Sequence, residues 1–312
     1  IDYFDTRTTD LLTDISLSGI GGYTNTITNG GETRNHGIEI LLSGNIIRNK
    51  NFNWNVTTAF TSYRNEIVKT GVTGVAGEQK NDIGRGRYVG TPINNIRTYV
   101  FDGIFQTDAD AINSAQGSLG GTITPFQNVA TLLAGAIRLK DVNGDGRIND
   151  DDQVIFATDP KWFSSISTTV SYKSFDLLAD LYFVEGTMKI NPYLSSFNEG
   201  GTLQSVRNGI KVDYWTPENP SNTFPRPNYS AAPANVSSLG LRESSYVRLR
   251  TLSLGYNMQN SLLDKMKLSG LRVYITASNL FTITDYKSYS PENNPNQFPD
   301  TKSFTFGLNI GL

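Results

Sequence analysis

The chain has 312 residues, enough for one large β domain or two smaller ones, and its formal net charge of −2 offers no basic face to nucleic acid. Only 38% of its residues are hydrophobic, an average that suits a polar, loop-rich protein and equally a membrane barrel, in which only alternate strand residues meet lipid. No window approaches the roughly 18 apolar residues of a membrane helix, so any spanning is by strands, and the absence of cysteine excludes disulfides, thiolate metal sites and cysteine nucleophiles.

The 29 Gly, 15 Tyr and 16 Phe, with abundant Thr, Ser and Asn, predict an all-β protein of many strands and turn-rich loops. The opening Ile1-Asp2-Tyr3-Phe4 lacks an initiator Met, a basic segment and the apolar run of a signal peptide. It reads as a piece of a longer polypeptide. Residues 10–32 are expected to form a first long connection. Then Ile38, Ile40 and Leu42, a turn at Arg48-Asn49-Lys50-Asn51, and Trp54, Val56, Thr58 and Phe60 predict a hairpin. Its opposite faces carry Glu39, Ser43, Asn55, Thr57 and Thr61.

Residues 67–160 form a second long connection, and it contains the one stretch with metal-ligand spacing. Asp141, Asn143 and Asp145 occupy the first three positions of a calcium loop, and Gly146 allows the sharp turn. Arg147 would offer its carbonyl, Asn149 a water-mediated contact, and Asp152 the closing carboxylate. Aspartate at that twelfth position is shorter than the Glu of a helix–loop–helix hand and resembles dockerin-type loops. The competing reading is a solvated acidic turn built on Asn-Gly and Asp-Gly.

A tight hairpin follows, with Ile166, Thr168, Val170 and Tyr172 before a turn at Ser174, and Phe175, Leu177, Ala179, Leu181 and Phe183 after it. Residues 189–242 form a third long connection. Within it Tyr214-Trp215-Thr216-Pro217-Glu218-Asn219-Pro220 offers Tyr214 and Trp215 either for stacking on a sugar or for packing inside a folded loop, with packing the expectation. Val247 to Tyr256 is strand-like, but its apolar phase shifts between Leu249 and Leu252, which suggests a bulge or a slip; Arg248 and Arg250 could face a lumen and are not read as ligand residues. Leu271, Val273, Ile275 and Ala277 alternate with polar residues, giving a strand over about 270–284, and residues 285–301 connect it to the last. There Phe304, Phe306, Leu308, Ile310 and Leu312 alternate strictly with Ser303, Thr305, Gly307, Asn309 and Gly311. Such a strand suits a lipid-facing wall and equally a half-buried strand of a soluble sandwich.

Two further patterns bear on the choice. Aromatics recur near strand ends (Trp54, Tyr63, Trp162, Phe163, Phe175, Tyr256, Phe281 and Tyr286), where a lipid–water interface favours amphipathic rings. Short connections near 46–51, 173–175 and 258–269 alternate with the four long ones, as in a membrane barrel with short turns on one side and long loops on the other. Catalysis has little to work with. His36 is the sole histidine, no Ser/His/Asp set is present, and carboxylates such as Asp150 with Asp151, or Glu39 with Asp180, read as solvated lumen or loop groups.

Several segments together resemble the C-terminal region of SusC/RagA-type TonB-dependent transporters. They are Gly31-Glu32-Thr33-Arg34-Asn35-His36-Gly37-Ile38-Glu39, Phe101-Asp102-Gly103-Ile104-Phe105, Asp141-Val142-Asn143-Gly144-Asp145-Gly146, the segment from Tyr214 to Pro220, Tyr246-Val247-Arg248-Leu249-Arg250 with Leu254-Gly255-Tyr256, and Ala277-Ser278-Asn279-Leu280-Phe281. Thr305, Gly307, Ile310 and Leu312 are similar to the C-terminal signal of outer-membrane barrels. The resemblance implies that residues 1–312 supply about the last eight strands of a 22-stranded antiparallel transmembrane β-barrel, with extracellular loops near 67–160 and 189–242. It also implies an importer of oligosaccharides or peptides in the cell outer membrane, partnered by a SusD-like surface lipoprotein and, through a more N-terminal part, by the TonB complex. Calcium at the acidic loop is the one cofactor expected. The alternative is a soluble or cell-surface β-rich binding protein with a calcium-stiffened loop.

Overall fold

The computed structural model describes residues 1–16, 25–73, 78–116, 133–195, 213–226, 235–293 and 297–312. The chain divides into two compact units, one of residues 1–93, 159–187 and 244–312, the other of residues 94–158 and 188–243.

The first unit is an eight-stranded antiparallel sheet whose spatial order is the chain order. Its strands are β1 (Asp2–Ser16), β2 (Asn25–Arg48), β3 (Phe52–Thr70), β4 (Trp162–Tyr172), β5 (Phe175–Glu185), β6 (Tyr246–Asn257), β7 (Gly270–Ile283) and β8 (Ser303–Gly311). A meander of this kind follows from hairpin chemistry. The Asn49 carboxamide accepts the Asn51 and Phe52 amides to close the β2–β3 turn. Lys173 adopts a left-handed φ of 53° so that Tyr172 and Phe175 can pair directly across a two-residue β4–β5 turn.

The expected hairpins, the strand over 270–284 and the terminal strand are all present. The slip in β6 is present too: register shifts between Leu249 and Thr251 against both neighbours, and Arg250 sits at the irregularity. One expectation fails. The connection placed at 10–32 is largely strand, because β1 runs to Ser16 and β2 starts at Asn25, paired Ser16↔Asn25 and Thr13↔Thr28. Polar Thr and Asn residues that read as loop in sequence are satisfied here by ladder hydrogen bonds, which is a tertiary gain that local propensity does not report. The short connection at 258–269 also holds a helix, Asn260–Met266.

The second unit shows what the long connections do. Short two-stranded ribbons pair Asn95–Thr98 with Val154–Ala157, Phe101–Ile104 with Ile137–Leu139, and Met188–Ile190 with Leu241–Glu243. Around them Tyr99, Ile104, Ile137, Leu139 and Ile148 from the earlier connection share one apolar cluster with Leu194, Trp215, Phe224 and Leu239 from the later one. The two connections therefore fold as one body with its own core.

Candidate functional site

The sheet has two chemically distinct faces. Across β3 to β8 the register aligns Trp54, Val170, Leu177, Leu254, Ile275 and Phe306 in one uninterrupted apolar row. The row beside it, on the opposite face, reads Asn55, Thr169, Leu178, Ser253, Thr276 and Thr305. Period-two alternation thus holds across these two rows of β3 to β8. The apolar side stays bare: Phe306 is 77% exposed and Leu308 62%. A soluble sandwich would bury such a face against a second sheet.

Aromatics border the apolar face at two heights. Near the short turns lie Phe52 beside Tyr172 (centroids 6.4 Å) and Phe175 beside Tyr256 (4.8 Å), with Trp54 donating its indole N–H to Thr168 Oγ1 at 2.9 Å. Toward the other end Phe60 packs on Trp162 at 5.8 Å. Eight residues separate Phe52 from Phe60, about 27 Å of strand at about 3.4 Å each, or about 20 Å of height at a tilt of about 40°. Two aromatic girdles at that separation suit the flanks of a hydrocarbon layer. Not every strand-end ring belongs to them. By register Tyr63 and Phe163 lie on the polar face, and Tyr286 is buried in the β7–β8 connection.

The polar face is organised by charges. Arg272 donates to Asp176 Oδ1 and Oδ2 at 3.2 and 2.5 Å across Gly255, where any Cβ would strike both side chains. Arg248, 5% exposed, is the centre of a larger network. Its Nε donates to Thr282 Oγ1, its Nη1 to Glu292 at 2.8 Å and its Nη2 to Asp300 at 2.6 Å. Asp300 also accepts Ser290 Oγ and Asn293 Nδ2. Strand β6 thereby holds the β7–β8 connection at two side chains, Glu292 and Asp300. Arg250 Cζ lies over the Tyr182 ring, 3.3 Å from its centroid. Glu39 of β2 and Asp180 of β5 sit on this face with β3 and β4 between them, about 14 Å apart in strand spacing alone and further offset along the strands, too far for a pair of cooperating carboxyls.

The acidic loop lies in the second unit and is held by its own backbone. Asp141 accepts the amides of Gly144 (2.7 Å) and Gly146 (2.8 Å), Asn143 that of Asp145, and Asp145 that of Arg147. Asp152 is fully buried and accepts Val142 and Asn149 at 2.9 and 2.8 Å, while Asn149 caps the turn Asp150–Asp152 through the Asp151 amide. In this loop the carboxylates of Asp141, Asp145 and Asp152 are taken up by backbone amides. Among the described residues no three His, Asp or Glu side chains converge as metal ligands do. The donor set is all oxygen, which suits a hard cation. Trp215 is 7% exposed in the shared core and donates its indole N–H to Gln106 at 3.1 Å, and Tyr214 meets Phe224 edge to face. Burial pushes the Tyr214 phenol up from its ordinary pKa. Both rings pack in this conformation. The sequence had no signal for the Arg248 network, since Glu292 and Asp300 are 44 and 52 residues away.

No protein-family model matches the chain. It is 27% identical, over 99% of its length, to TonB-dependent receptor P3 of Formosa agariphila, covering 32% of that protein. TonB-dependent receptor SusC of Bacteroides thetaiotaomicron is 24% identical over 99% of the chain, with 30% of SusC covered. The chain is similar over its whole length to TonB-dependent receptors, SusC among them. Its fold matches a structure of the RagAB peptide transporter with a TM-score of 0.73 and 24% identity, covering 99% of this chain and 33% of that one. The antiparallel sheet therefore has the fold of part of a β-barrel wall, and the chain spans about a third of the length of these relatives. The relatives are receptors and transporters, not enzymes.

Proposed function

We propose that this chain is the C-terminal part of the wall, with its external loops, of an outer-membrane TonB-dependent importer of oligosaccharides or peptides. The observation that carries the reading is the eight-stranded meander with one bare apolar face between aromatic girdles and one polar face. The short turns at 49–51, 173–174 and 258–269 lie toward the periplasm, and the long connections, including the loop unit, lie outside. Cargo would be held between those loops and a SusD-like lipoprotein, then pass the polar face once a plug from elsewhere in the polypeptide is drawn aside by TonB. The work is gating rather than bond chemistry.

The first test is the denatured mass of the native polypeptide from detergent-extracted outer membrane. A species about three times the size of this chain is expected. A product of this chain's size in the soluble fraction would overturn the reading in favour of a surface-binding protein. Cargo class is tested by mass analysis of molecules co-purifying with the transporter, as peptides or as glycans. Calcium at Asp141, Asn143, Asp145, Arg147, Asn149 and Asp152 belongs to the same reading, as a stiffener of the loop unit. Added calcium is expected to raise the unfolding temperature of the native polypeptide and Asp141→Asn to abolish the rise; no difference between calcium and chelator removes the ion from the proposal.

A further inference from the structure

Beyond the apolar band, the same face of β1 to β3 changes character abruptly. Along β2 its alternate positions run Leu42, Ile40, Ile38, His36 and Arg34, and the register places Tyr3, Asp5 and Arg7 of β1 and Ser62, Arg64 and Glu66 of β3 beside the last three. The next outward pair is Glu32 with Lys69. Nine residues separate Ile47, at the turn end of the band, from Ile38. With the bulge between Asn45 and Ile47 these span eight ladder rows, Ser62 to Trp54 on β3, about 27 Å of strand and about 21 Å of height, close to the roughly 25 Å of a barrel's lipid-facing band. The charged rows begin within about 5 to 10 Å of its upper edge, at the depth of lipid headgroups.

The charges are layered. Glu32 is 3% exposed beneath Arg7 and Lys69, both of which bond to it and are 60% and 48% exposed. Arg34 bridges Asp5 and Glu66. Arg7 bonds to Glu32 through its Nε, and Arg64 is exposed with no ion pair or hydrogen bond among the described residues. Four cations share these rows with three carboxylates, of which that of Glu32 is screened from outside. A surface of that sign, directly continuous with bare apolar side chains, is complementary to an anionic headgroup whose tails lie on the band below.

We propose that Arg7, Arg64 and Lys69 form a docking surface for phosphate-bearing lipid headgroups of the leaflet on the long-loop side. The proposal rests on the reading of the sheet as a membrane wall. Arginine forks match phosphate oxygens in pairs, and lysine adds a point charge. Arg34, committed to its two carboxylates, holds β1, β2 and β3 together beneath the site.

The test uses the full-length native polypeptide in mild detergent, offered equimolar dioleoyl phosphatidylglycerol and dioleoyl phosphatidylcholine, with retained lipid counted by native mass spectrometry. The wild type is expected to retain phosphatidylglycerol preferentially. Arg64→Gln should lower that preference about fivefold, and Arg7→Gln with Arg64→Gln by at least about tenfold. Arg64→Gln breaks no pair, so it remains informative if the double variant folds poorly. A wild type without preference, or an Arg64→Gln protein that keeps all of it, overturns the proposal while leaving the membrane wall intact. A polypeptide that is soluble without detergent overturns both.

Discussion

Arg248 shows how a single side chain governs a long connection. It is buried, and its guanidinium is divided between Glu292, Asp300 and Thr282, so replacing it leaves Asp300 without its charge partner. Loss of one member of a fully buried pair costs several kcal/mol; with Glu292 46% and Asp300 22% exposed, water recovers part of this, and about 2 kcal/mol is the expected local loss. Arg248→Ala should therefore raise protease cleavage within residues 285–301 about thirtyfold with the sheet intact. Tyr286 supplies a second handle on the same connection. Burial pushes its phenol from the ordinary 10.0 up to about 12. The unfolded phenol ionises first as pH rises, so the stability that the neutral buried ring contributes is present below pH 10 and lost as pH approaches 12. Exchange protection of the connection should fall across that window in the wild type and change little in Tyr286→Phe.

At the scale of elements, β7 and β8 are fitted by a glycine. Gly307 lies opposite Tyr274, and a Cβ there would overlap the Tyr274 ring, which itself carries Arg272 at 5.0 Å. Overpacking of this kind costs about 1–3 kcal/mol. Gly307→Val should lower the unfolding temperature of the detergent-solubilised polypeptide, and Tyr274→Ala in the same chain should restore most of the loss. If the single variant unfolds at the wild-type temperature, the ring is not seated as described. The irregularity of β6 belongs to the same scale. Its slip was readable because Leu249 and Leu252 break period two, whereas the left-handed Asn279 of β7 (φ 52°) has no comparable sequence signal and follows from pairing with β6.

The whole sheet is open, with β1 at one edge and β8 at the other. Each edge presents a row of backbone donors and acceptors, and in hydrocarbon every such group needs a partner. Residues 1–312 expressed alone should therefore fail to enter membranes and should aggregate, while the full polypeptide inserts. Recovery of the fragment as a heat-stable species in outer-membrane fractions would contradict that. The loop unit is a different case, because it has a buried core of its own around Ile104, Leu139, Trp215 and Leu239.

Strands β2 to β8, their two faces, the β2–β3 and β4–β5 hairpins and the bulge in β6 were legible in the sequence because each is written in period-two alternation and turn chemistry, which act over a few residues. So was the spacing of the acidic loop, although spacing alone did not place its carboxylates on backbone amides. The extension of β1 and β2 through 10–32, the common core of connections 94–158 and 188–243, the burial of Trp215 and the seat of Arg248 were decided only by the tertiary structure. Each depends on partners that are remote in sequence, and neither ladder pairing nor side-chain burial at such separations leaves a local pattern in the residues that make it.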